Sequence, residues 1–156
     1  MALKSDREIH VTDISCTFNT PAEAGTLAVR VTGASYASGQ GINDSAPVAS
    51  TGGTGVPASG SRVIGLLLDY VVQIDPTRQH RNYQRTEQLV GEPVAILKDG
   101  MVWTNKVTGT PAAGDPAYPG PGGTIQNSQA NGLPQLGEFK TSKDADGYCK
   151  VYVKLA

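Results

Sequence analysis

Residues 94–105 read VAILKDGMVWTN. Apolar residues lie on both sides of Lys98, and Asp99-Gly100 stands between two strand-like runs. A tight hairpin turn needs positive φ at its central positions, which Gly adopts freely and Asp tolerates. The stretch therefore predicts a two-residue β-hairpin, with strands over 94–98 and 101–105. Trp103 reads first as a core residue beside that turn.

The same grammar continues towards the C-terminus. Gly114-Asp115-Pro116 predicts a turn before Ala117-Tyr118, Gly120-Pro121-Gly122-Gly123 a loop, and Thr124-Ile125 the restart of a strand. Residues 137–141, GEFKT, predict a strand, and Asp146-Gly147 a hairpin turn into 148–155, YCKVYVKL. That last segment alternates cleanly. Cys149, Val151, Val153 and Leu155 share one face; Tyr148, Lys150, Tyr152 and Lys154 share the other.

Towards the N-terminus, 9–18 (IHVTDISCTF) predicts a half-buried strand with Ile14, Cys16 and Phe18 on one face. Asn19-Thr20-Pro21 ends it, because proline has no N–H for a ladder. Residues 26–32 alternate, with Leu27, Val29 and Val31 opposite Ala28, Arg30 and Thr32. Residues 62–74, RVIGLLLDYVVQI, predict one long or two short strands, ended by Asp75-Pro76. Between them, 33–61 is dominated by Gly, Ser and other small residues. Such a segment buries too little apolar surface to offset its ordering entropy. It predicts either a surface loop or an extended arm ordered against a partner.

No segment sustains a helical period. Short strands with regular turn signals predict an all-β protein: a small β-barrel or sandwich of short antiparallel strands with a long Gly/Ser-rich arm or loop. The expected organisation is 1–32 as N-terminal strands or arm, 33–61 as the extended segment, and 62–156 as the barrel or sandwich.

Composition narrows function. The 156 residues are 38% hydrophobic and 17% charged, with 19 Gly and 10 Pro, which suits a modest core with much turn structure. Thirteen basic and 14 acidic residues leave a net charge of −1. A protein living on phosphate backbone usually carries a clear basic excess. The start, MALKSDREIHV, lacks the apolar centre of a signal peptide, and no apolar run approaches the roughly 18 residues of a membrane span. A soluble chain is expected.

Candidate chemistry is sparse. The only histidines are His10 and His80, and no G-x-S-x-G elbow occurs. Cys16 and Cys149 lack metal-type spacing. Cys149, on the apolar face of its strand, reads as a buried structural thiol rather than a nucleophile, and a single disulfide with Cys16 is the less favoured alternative. Residues 142–147 start like a calcium loop, but position twelve is Val153, where a bidentate Glu is required. A hairpin turn fits better. No catalytic residue, metal or cofactor is expected.

Residues 78–85, RQHRNYQR, hold three arginines, a histidine and a tyrosine with no acid. A solvated face, a protein interface and a nucleic-acid contact all suit this pattern. The balanced charge disfavours nucleic acid, and Arg and Tyr are typical interface anchors. Arg78, His80, Arg81, Tyr83 and Arg85 are therefore the candidate interface residues.

Residues 91–119, GEPVAILKDGMVWTNKVTGTPAAGDPAYP, resemble the G-x-P-V-x-V-L-x-x-G-x-V-W-V segment, and the V-x-x-G-D-x-V-Y element after it, of tailed-bacteriophage capsid cement or decoration proteins. Thr124-Ile125, residues 136–139 (LGEF) and 144–148 (DADGY) keep that family's order. Ala117 departs from its usual β-branched residue. The resemblance implies a non-enzymatic β module on the capsid exterior, assembled in the bacterial cytoplasm. Its expected partners are the major capsid protein and neighbouring copies of itself, as homodimer or homotrimer, with no direct nucleic acid and no membrane. The alternative is a carbohydrate- or cell-surface-binding β module of a fibre or adhesin, with Trp103, Tyr118, Tyr148 and Tyr152 as a sugar platform.

Overall fold

The computed structural model of the chain describes residues 8–30, 48–70, 87–88 and 93–155. Along these residues run β1 (Glu8–Phe18), β2 (Ala22–Glu23), β3 (Leu27–Arg30), β4 (Val48–Ser50), β5 (Val63–Tyr70) and β6 (Glu87–Gln88). Then follow β7 (Pro93–Thr104), β8 (Val107–Thr108), β9 (Pro116–Pro119), a 3₁₀ turn at Pro121–Gly123, β10 (Ile125–Gln126), β11 (Gly137–Phe139) and β12 (Cys149–Lys154). The fold is all-β, as expected.

Ten strands form one sheet in the order β1-β4-β3-β5-β7-β12-β11-β9-β10-β8, and β1 also pairs with β7. That second pairing makes a nearly closed, barrel-like ring of β1, β4, β3, β5 and β7. Strands β12, β11, β9, β10 and β8 extend the sheet from it. Pairing is antiparallel except at β1–β4 and β8–β10. β2 and β6 make a separate two-stranded ribbon.

The expected hairpin at Asp99-Gly100 does not form: β7 runs straight through it. The reason is tertiary. One edge of β7 pairs with β1 from Pro93 to Met101. The other pairs with β5 at Val94–Leu97 and with β12 at Asp99–Thr104. A reversal at Asp99-Gly100 would break both ladders. Gly100 is buried, has φ 150°, and lies opposite both Ile9 and Val153.

What the sequence marks here is a bulge. β1 advances one residue, from Val11 to Thr12, while β7 advances two, from Asp99 to Leu97, so Lys98 is the extra residue. An extra residue reverses the alternation of side chains. Before it, Leu97 faces one core while Val94 and Ile96 face the other. After it, Val102 joins the core that Leu97 faces.

Two cores result. One gathers Cys16, Phe18, Ala22, Ala28, Leu67, Val94 and Ile96. The other gathers residues of β3, β5 and β7 with Ile125, Leu136, Phe139, Cys149, Val151 and Val153. β3 serves both: Leu27 and Val29 face one and Ala28 the other, so its alternation is as expected but neither face is solvated. Gly65 permits the close packing of β5 on β7. A Cβ there would sit 2.2 Å from the Leu97 carbonyl oxygen.

Of the Gly/Ser-rich stretch, 33–47 lies outside the described residues. In the rest, β4 is a sheet strand and residues 51–61 fold against the C-terminal half. Pro57 is buried, Gly122 N–H donates to the Gly55 carbonyl at 3.2 Å, and Asn131 Nδ2 donates to the Pro57 carbonyl at 2.9 Å. The Asp146-Gly147 turn forms as expected. Asp144 Oδ1 accepts from the N–H groups of Asp146 and Tyr148, and Gly147 has φ 82°. Cys16 and Cys149 are buried in different cores and form no disulfide. Among the described residues, no helix is long and apolar enough to cross a membrane.

Candidate binding face

Residues 78–85 lie outside the described residues, so Arg78, His80, Arg81, Tyr83 and Arg85 receive no place in the fold. The described residues point instead to the outer face of β7, β12 and β11.

The strand period builds that face. Cys149, Val151 and Val153 are at most 1% exposed, so Lys150, Tyr152 and Lys154 are turned to the opposite side. Register extends this side across neighbouring strands. Tyr152 lies between Glu138 of β11 and Met101 of β7, and Lys150 lies opposite Trp103. Met101, Trp103, Glu138, Lys150 and Tyr152 are half-buried, while Lys140 and Lys154 are exposed. On β9, Ala117 is fully buried, so Tyr118 is turned outward with the same side of the sheet.

Trp103 is therefore not a core residue beside a hairpin turn. The bulge at Lys98 sets the phase of β7, turning Val102 inward and Trp103 outward. Of the four aromatic residues grouped from the sequence, Trp103, Tyr118 and Tyr152 share this side; Tyr148 follows the turn that feeds β12.

Several contacts fix the face. Lys140 Nζ lies 3.1 Å from Glu138 Oε1 and 5.6 Å from the centroid of the Tyr152 ring. It thus combines an ion pair with a cation–π contact. Gln135 Nε2 donates to the Gly137 carbonyl at 2.7 Å. A shallow groove of about 370 Å³ runs along Gln135, Gly137, Glu138, Tyr152 and Lys154. It offers an aromatic ring, an amide, a carboxylate and an ammonium to whatever lies on it.

The other electrostatic features hold the fold. Lys98 pairs with Asp13 at 2.5 Å and Lys106 with Glu23 at 2.6 Å. The Lys106 ammonium holds the Glu23 carboxyl below its usual range. Asp115 is also held low, first by the Ala112 N–H at 2.9 Å and then by the Asn127 amide at 3.0 Å. Burial pushes the Cys149 thiol up, which suits a structural thiol rather than a nucleophile.

Sequence patterning identified the polar face of β12 but not its neighbours. With Asp99-Gly100 read as a turn, Trp103 is assigned to the core and Met101 to neither side. The signal that would have placed them is the apolar parity on either side of Lys98. Compared with known proteins, the chain matches no family model and no curated sequence.

Proposed function

We infer that the protein is a non-enzymatic binding module that attaches to the outer surface of a phage capsid and bridges major capsid subunits, stabilising the head. The observation that carries this reading is the half-exposed Met101–Trp103–Tyr152 row on the outer face of the sheet, with Lys140, Lys150 and Lys154 around it. Aromatic residues and Met are enriched at protein interfaces, and charges favour the rim. A sheet packed on its inner side against the larger core presents such a row with little entropy left to lose on docking. The resemblance of 91–119 to capsid cement proteins supports the same reading, and so does the stretch 78–85, with Arg78, Arg81, Tyr83 and Arg85 as further contacts. The protein then acts on the virion exterior, as a dimer or trimer beside the major capsid protein.

The test is binding of the purified protein to capsid shells that lack it. Saturable binding is expected, weakened at least about thirtyfold by Trp103→Ala, the size of a hot-spot loss. Charge reversal at two of Arg78, Arg81 and Arg85 should also weaken attachment while leaving the isolated fold intact. Failure of the wild-type chain to bind such shells would overturn the reading.

A second reading follows from Trp103, Tyr118 and Tyr152 sharing one side of the sheet: a carbohydrate-binding module of a fibre or adhesin. Glycan binding lost in Trp103→Ala, without shell binding, would select it.

A further inference from the structure

Asn131-Gly132 is the one Asn-Gly pair in the 156 residues. It forms the tip of an exposed turn in which Leu133 N–H donates to the Ala130 carbonyl at 3.2 Å. Both tip residues have positive φ, 54° at Asn131 and 64° at Gly132. An added Cβ on Gly132 would meet nothing within 4 Å, and both tip residues are exposed, so the turn is open to solvent there. The Asn131 side chain also has a structural task. Its Nδ2 donates to the Pro57 carbonyl at 2.9 Å and so ties this turn to residues 51–61, 74 positions away in sequence.

We propose that Asn131 is a site of spontaneous deamidation, and that its conversion releases residues 51–61 from the 130–133 turn. The Gly132 amide nitrogen attacks Asn131 Cγ. A new C–N bond closes a succinimide ring, and the Cγ–Nδ2 bond breaks. The side-chain nitrogen takes up the proton lost from the Gly132 amide and leaves as ammonia. Water then adds to either imide carbonyl and opens the ring to aspartate or isoaspartate. No oxidant or reductant enters. Glycine favours the step because no Cβ shields its amide nitrogen. Ring closure needs the Gly132 nitrogen to reach Cγ, and the exposure of both residues permits the local opening of the turn that brings the two atoms together.

Both products cut the tie. Aspartate replaces the donor with a carboxylate oxygen facing the Pro57 carbonyl, so acceptor meets acceptor. Isoaspartate adds a methylene to the backbone between Ala130 and Leu133 and breaks the turn itself. The other described asparagines precede bulkier residues: Asn19 precedes Thr20, Asn105 precedes Lys106, and Asn127 precedes Ser128. Asn127 is also held by its bond to Asp115.

The full chain is incubated at mildly alkaline pH and mapped by peptide mass spectrometry, with isoaspartate detected by enzymatic methyl labelling. Conversion at Asn131 should run ahead of Asn105 and Asn127, and Gly132→Ala should slow it. Amide exchange at Gly122 and Ser61, which monitors 51–61, should rise roughly three- to tenfold in the aged protein and in Asn131→Asp, matching loss of one hydrogen bond. Conversion at Asn131 no faster than at Asn105 and Asn127 would overturn the proposal. So would conversion, or Asn131→Asp, that leaves exchange over 51–61 unchanged.

Discussion

Gly137 lies between β9 and β12 with no room for a side chain: a Cβ would fall 1.9 Å from the Tyr152 carbonyl oxygen. Backbone cannot yield as a flexible side chain can. Gly137→Ala should therefore cost about 3 kcal/mol, the upper range for overpacking, as read by urea denaturation. A transition within about 0.5 kcal/mol of wild type would show that the strands separate readily there. Phe139, fully buried in the larger core, tests the opposite defect. Phe139→Ala should lose about 3–5 kcal/mol through lost burial and the cavity left behind. Asp115 gives the pH dependence. Its folded carboxyl titrates below the unfolded value of about 3.9, so its contribution is present above that pH and is lost as pH falls through the folded value. Between about pH 4 and lower pH, wild type should lose more stability than Asp115→Asn. Equal slopes in the two acid titrations would refute this assignment.

At the scale of elements, β7 decides the architecture because β1, β5 and β12 all pair with it. Its bulge acts through the backbone rather than through the Lys98 side chain. The Lys98–Asp13 pair is partly solvated and should contribute less than about 1 kcal/mol, so Lys98→Ala should fold cooperatively with a small loss. Deleting Lys98 keeps the chemistry of every neighbour but restores strict alternation, sending one half of β7 to the wrong face. That variant should lose its cooperative unfolding transition in circular dichroism. A well-folded deletion variant would mean the register can slip without penalty. The last strand needed no such tertiary input. YCKVYVKL alternates so regularly that its buried face, Cys149, Val151 and Val153, is readable directly. β2, β4, β6 and β8 are two or three residues long and were not legible, because so short a run has no measurable period.

For the molecule as a whole, the two cores predict how its thiols behave. Cys16 and Cys149 are each at most 3% exposed and sit in separate clusters. Both should react with a thiol reagent only as fast as the protein globally unfolds, and oxidation of the folded protein should not join them. Fast labelling of one alone would reveal local opening of its core. The same two-core arrangement separates what each level determined. The sequence determined the strand content, the turns at glycine and the outward polar side of β12, because these follow from local conformational preference and period-two patterning. It also marked 99–100 as special. Only the tertiary structure decided that this mark is a bulge within a strand and not a reversal, and hence that Trp103 and Met101 join Tyr152 on one outer face. Asp-Gly accommodates both backbones; ladder hydrogen bonds on both edges of β7, from strands distant in sequence, select between them.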